Sequence, residues 1–200
     1  MYILNYGNFS DFNLKNSSGF VDFWNQFYKD HERTEDYIYN LNIGQNLKRN
    51  NVRWLIDWKL PKPHRENEID RVLGQTARLN QFRNGNLSEN EFKELVAQIY
   101  RTGFVMPVFL FHISRPQQYP IWDRFVINAF QRHIHNIRIN GNIINAWDAY
   151  DRYRQYIDSI GKACFKGFPS RNNERCVRNL KQIDNALWAF GKFLAQYGGL

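Results

Sequence analysis

Arg101-Thr102-Gly103-Phe104-Val105-Met106-Pro107-Val108-Phe109-Leu110-Phe111-His112-Ile113-Ser114-Arg115-Pro116-Gln117-Gln118-Tyr119-Pro120-Ile121-Trp122-Asp123-Arg124-Phe125-Val126-Ile127-Asn128-Ala129-Phe130 is the stretch that decides the fold. It reads as a glycine-containing turn, a buried helix, a loop with two prolines, and an aspartate opening another helix. The apolar run Phe104–Ile113 is too short to span a bilayer, which takes about 20 residues, so it is a rigid interior strut. Pro107 suits its first turn, where an amide has no intrahelical partner. Backbone amides at Arg101-Thr102-Gly103 face the start of that helix, a position suited to a phosphate. Asp123 is a favoured residue type for a helix N-cap.

Outward from this stretch, helical punctuation dominates. Ser88 and Glu91 match a capping box ahead of Phe92, Leu95, Val96 and Ile99. Glu66 to Phe82 reads as one helix with Ile69, Leu73 and Leu79 inward, closed by the turn Asn84-Gly85-Asn86. Asn50 precedes a helix in which Trp54 and Trp58, four apart, are neighbours that fill core, and Pro61 and Pro63 end it. Ser17 or Ser18 caps a helix placing Phe20, Phe23, Trp24 and Phe27 on one face. Downstream, helices are expected from Asp123 to about His135, from Ile144 to Ile160 and from Ser170 to Tyr197, with a turn at Asn140-Gly141-Asn142. A strand is suggested only at Tyr2–Leu4. The fold class is all-α.

Two hundred residues, 43% of them hydrophobic, are enough for a packed interior and exclude wholesale disorder. Twenty-seven Lys and Arg against 19 Asp and Glu give +8, and the pI is near 9.5. That balance points to a polyanionic partner, because clustered cations release counterions when they meet phosphates. Two cysteines, Cys164 and Cys176, exclude a four-cysteine zinc site or an iron–sulfur cluster. His133 and His135 fall on different helix faces and do not make a metal pair. With no basic-then-apolar leader, the chain is expected in the cytoplasm with reduced thiols, as a monomer. Arg171, Arg175, Arg178 and Lys181 form a basic helical face, and Trp188, Phe190, Leu187 and Phe193 read as packing.

The Gly103 turn, the buried helix and the Pro120-Ile121-Trp122-Asp123 lead-in together resemble the helix–hairpin–helix DNA glycosylase superfamily. About thirty residues carry the resemblance. It implies a two-lobed helical glycosylase-like fold: an N-terminal lobe over 33–118 with the hairpin, a second lobe from 1–32 plus 119–200, and a DNA cleft where they meet. It also implies that Asp123 is the catalytic carboxylate, and that Arg101, Thr102, Gly103, Phe104 and Val105 contact DNA. A flipped base would be received by Trp122, Tyr119, His112, Trp54, Trp58 and Lys59.

Two positions depart from the family pattern. The hairpin's earlier glycine is Arg101 here, and the place of the bifunctional members' lysine, eighteen residues before the aspartate, is Val105. A valine forms no Schiff base. The implied enzyme is therefore monofunctional: water attacks, a carboxylate stabilises the oxocarbenium-like state, and an abasic site remains, with no metal or cofactor. Lys59 beside Trp58 is placed to contact a phosphate or, as the lesser alternative, to act as a displaced nucleophile. Oxidised purines, alkylated bases, mismatched pyrimidines and modified bases of phage DNA all stay open as substrates. The rival readings are a non-catalytic helix–hairpin–helix DNA binder, a helical protein-interaction domain and an RNA binder.

Overall fold

A computed structural model of the chain describes residues 17–29, 36–60, 66–133, 143–169 and 173–197. Among these residues there are ten helices and no strand: α1 Ser17–Lys29, α2 Asp36–Asn42, α3 Arg49–Lys59, α4 Glu66–Gly74, α5 Thr76–Arg83, α6 Glu89–Ile99, α7 Val105–Ser114, α8 Arg124–His133, α9 Ile143–Cys164 and α10 Asn173–Tyr197. The expected strand at Tyr2–Leu4, the Asn140-Gly141-Asn142 turn, His135 and Arg171 lie outside the described residues. The chain divides into two compact units, Glu32–Tyr119 and a discontinuous one made of Met1–His31 with Pro120–Leu200.

In the Glu32–Tyr119 unit, α2 and α3 form an antiparallel hairpin. The Trp58 indole N–H donates to Asp36 at 2.9 Å at one end, and the Asn51 amide donates to Asn42 at 2.7 Å at the other. Helix α2 was not expected from the sequence. The single helix expected over 66–82 is broken: Gln75 leaves the helix between α4 and α5, and the Thr76 hydroxyl takes the Leu73 carbonyl at 2.8 Å. A glycine followed by a hydroxyl that competes for a backbone acceptor accounts for the break.

Helix α5 ends as the Asn84-Gly85-Asn86 signal anticipates. Gly85 adopts φ +82°, its N–H reaches Phe82 O, and the Asn86 N–H reaches Gln81 O, so two terminal carbonyls are satisfied. The Ser88–Glu91 capping box starts α6 as read, with the Ser88 amide on Glu91 Oε2 at 2.8 Å and the Glu91 amide on Ser88 Oγ at 3.3 Å. Phe82, Phe92 and Phe111 then stack and abut one another at the centre of the unit. Every residue of α7 from Pro107 to Ser114 is buried, the interior strut that its apolar run predicts.

In the other unit, α1 packs on α10. Trp24 meets Phe190 at 5.1 Å, and Tyr28 meets Trp188 edge-on at 5.5 Å. The buried stripe of α1 is Val21, Trp24 and Tyr28; Phe27, expected inward, is exposed. Both sets, 20, 23, 24 and 27 and 21, 24 and 28, fit the helical repeat; packing on α10, where Trp24 and Tyr28 meet Phe190 and Trp188, selects the second. Helix α8 also lies on α10, where Gly191 lets the backbones touch: a Cβ there would fall 1.8 Å from Phe125 O. No helix among the described residues is long and apolar enough to cross a membrane.

Candidate functional site

Asp123 stands immediately before α8 and caps it. Its Oδ1 accepts from the Phe125 amide at 3.0 Å and the Val126 amide at 3.1 Å, while its carbonyl accepts from Ile127 at 2.8 Å. The residue is partly exposed. An aspartate here both satisfies amides that the helix leaves open and sits well in the positive end of the helix dipole. Arg124, next in sequence, lays its guanidinium over the Phe125 ring at 4.5 Å. The seam between Gly191 and Phe125 holds this end of α8 from the other side.

The segment leading to Asp123 is held at three successive carbonyls by buried side chains. His112 Nδ1 lies 2.6 Å from Tyr119 O, Tyr150 OH donates to Pro120 O at 2.8 Å, and Tyr153 OH donates to Ile121 O at 3.0 Å. A carbonyl only accepts, so His112 carries its proton on Nδ1. Its Nε2 lies 2.8 Å from the Tyr39 hydroxyl. Burial, and after it the negative charges of Asp184 and Asp123 with Tyr150 between them in weight, push the Tyr153 hydroxyl well above its ordinary pKa. Tyr153 therefore remains a donor across the physiological range. Ahead of these contacts, Arg115 folds back on α5: its Nε donates to Phe82 O at 2.7 Å and its guanidinium covers the Phe82 ring at 4.1 Å.

No family model, no curated protein and no solved structure matches the chain.

The aromatic residues expected around a flipped base are, with one exception, packing residues. Trp122 is 2% exposed, with Phe130, Tyr150 and Tyr153 set edge-on around it. Tyr119 is equally buried and donates its hydroxyl to Glu89 at 2.8 Å. His112 is a satisfied core histidine. Trp58 is buried with its N–H on Asp36 and its ring packed against Tyr39 at 4.6 Å and Phe109 at 6.2 Å. Trp122 and Tyr119 serve the core because the stretch 119–122 that carries them is itself buried, with its carbonyls hydrogen-bonded, while Trp58 and His112 are buried on α3 and α7.

The structure does bring Trp58, His112 and Lys59 together, all around Phe109: the Trp58 ring at 6.2 Å, the His112 ring at 6.0 Å and the Lys59 ammonium at 5.8 Å. Trp54 is the exception to burial. Expected in the core, it is half exposed on the outside of α3. Arg101, Thr102 and Gly103 are exposed, and Gly103 takes φ +81°, which opens the turn into α7. Phe104 is the N-cap of α7 and Val105 its first residue, both partly exposed.

Among the described residues no three His, Cys, Asp or Glu side chains gather as a metal set. The residues that sequence reading missed are Tyr39, Tyr150, Tyr153 and Gly191. Tyr150 and Tyr153 share a face of α9 at a three-residue spacing, a pattern that by itself signals only core.

Proposed function

We propose that the chain is a monofunctional DNA glycosylase in which Asp123 stabilises the developing positive charge on the deoxyribose and orients the attacking water. The observation that carries this reading is the way the carboxylate is held. One oxygen is fixed by two backbone amides, the residue keeps solvent access, and the segment before it is anchored at three carbonyls. A preorganised anion costs no rearrangement at the moment charge develops, which is the main source of electrostatic catalysis. The exposed Arg101-Thr102-Gly103 turn at the start of α7 and the net charge of +8 support DNA as the substrate polymer. Valine at 105 supports hydrolysis over lyase chemistry.

The same two hydrogen bonds favour a second reading, a non-catalytic DNA-binding protein, since capping alone gives Asp123 a sufficient reason to exist. Asp123→Asn separates the two, because asparagine caps a helix about as well as aspartate but carries no charge. The enzyme reading expects wild-type protein to release a base from at least one duplex in a panel of altered bases, scored as alkali-labile abasic sites. The variant should then lose excision by a factor on the order of a hundred or more, while DNA affinity and melting temperature hold. Excision that survives in Asp123→Asn removes Asp123 from the chemistry. Nicking without alkali, with a borohydride-trapped adduct, would instead point to a lysine nucleophile, Lys59 first.

A further inference from the structure

We infer that Arg124 and Lys192 together hold the phosphate backbone of duplex DNA beside Asp123; the choice of DNA rests on the glycosylase reading, the anion-binding chemistry does not. A continuous line of contacts joins the two cations. The Arg124 guanidinium lies over the Phe125 ring at 4.5 Å, Phe125 meets the Trp188 ring at 5.2 Å, and the Lys192 ammonium lies over Trp188 at 4.9 Å. Backbone geometry fixes the same pairing. Gly191 approaches Phe125 O so closely that a Cβ would fall 1.8 Å from it, and each cation is the immediate neighbour of one side of that contact, 192 after 191 and 124 before 125. Arg124 is exposed, and Phe125, Trp188 and Lys192 are half-buried, so the line reaches solvent along its length. Asp123 joins it through the Oδ1 that accepts from the Phe125 amide at 3.0 Å.

The way the cations are held selects what they bind. A guanidinium or ammonium over a ring is steadied by the ring's quadrupole yet spends none of its N–H donors. Among the described residues neither side chain makes an ion pair or a hydrogen bond. Lys181 is the contrast: it too lies over a ring, that of Tyr28 at 5.3 Å, but Asp184 matches its charge at 3.5 Å. Steadied cations with unspent donors fit an oxyanion. The ring faces that they cover are closed to stacked bases, so the contact is to a backbone rather than to unpaired bases. Protein–protein surfaces are depleted of lysine, whereas DNA-binding surfaces are strongly positive. A strand of phosphates drawn toward Asp123 also meets like charge there, and two cations on the same surface offset it.

The test is fluorescence anisotropy of a labelled duplex with the full chain, repeated across a range of salt. Arg124→Gln and Lys192→Gln should each lower the slope of log affinity against log salt by about 0.9 and weaken binding at low salt alike for every duplex sequence. Arg124→Lys keeps the charge and should keep the slope. Lys162→Gln removes a cation of the same unit that Asp158 already engages, and should leave the slope as it is. Circular dichroism and thermal melts show whether each variant is folded; if Arg124→Gln is not, Lys192→Gln decides alone.

Wild-type slopes in the folded glutamine variants, an equal fall in Lys162→Gln, or no duplex binding by wild type at low salt would overturn the inference. So would tighter Arg124-dependent binding of a single-stranded RNA. The slopes are read whether or not any base is released. Excision absent from the whole panel, with slopes that fall as expected, removes the glycosylase reading and leaves the phosphate contacts. Unchanged slopes with excision intact do the reverse.

Discussion

A methyl group added to Gly191 would fall 1.8 Å from the carbonyl oxygen of Phe125, far inside any contact distance. Two effects oppose each other in Gly191→Ala. Helix propensity gains about 1 kcal/mol, while overpacking against a backbone atom costs about 3 kcal/mol or more. The clash is with backbone and cannot be relieved by rotating a side chain, so the loss wins. Gly191→Ala should lower the unfolding free energy by about 2 kcal/mol or more net, read from urea melts, and should reduce any Asp123-dependent activity by shifting the start of α8. At Asp123 itself the capping and charge roles separate. Asp123→Ala should cost about 1 kcal/mol of stability, whereas Asp123→Asn should cost a few tenths at most. Equal destabilisation by the two would mean that the charge, not the hydrogen bonds, holds the helix end.

Among the elements, α6 carries the start signal most legible in the chain, and its strength has a pH signature. Glu91 accepts from both the Ser88 amide and the Ser88 hydroxyl, and these bonds hold its carboxyl below the ordinary value of 4.5. A depressed folded pKa means that the contribution of the charged form is present above the ordinary value and is lost as pH falls through the lowered one. Ser88→Ala should therefore cost about 1 kcal/mol near neutral pH and distinctly less in acid below that lowered value. Urea melts of both proteins at the two pH values check this, and an unchanged penalty in acid would break the link to Glu91.

Capping boxes, Asn-Gly turns and a ten-residue apolar run are local statements, and α5, α6 and α7 obey them. The break at Gln75 and the existence of α2 depend on tertiary partners. Asn80, for instance, binds both the N–H and the C=O of Leu47 across 33 residues of sequence, which no local pattern announces. Asp123 was legible as a helix start for the same local reason. The fates of Trp122, Tyr119 and Trp58 were not, because an aromatic residue in a polar-flanked loop looks alike whether it lines a pocket or fills a core.

For the molecule as a whole, the excess of eight positive charges sets an expectation for DNA binding of any kind. Affinity should fall steeply with salt, by tenfold or more between about 50 and 200 mM monovalent salt if several phosphates are engaged. A salt-independent affinity would argue for a partner other than nucleic acid. The order of the chain through its two units has a further consequence during synthesis. The Glu32–Tyr119 unit is continuous and can close as soon as it leaves the ribosome, but α1 emerges first while its packing partner α10 emerges last. At typical elongation rates Trp24 and Tyr28 wait on the order of ten seconds for Phe190 and Trp188. Nascent chains stalled before α10 should accordingly be the form that chaperones hold and proteases cut, with α1 as the exposed handle.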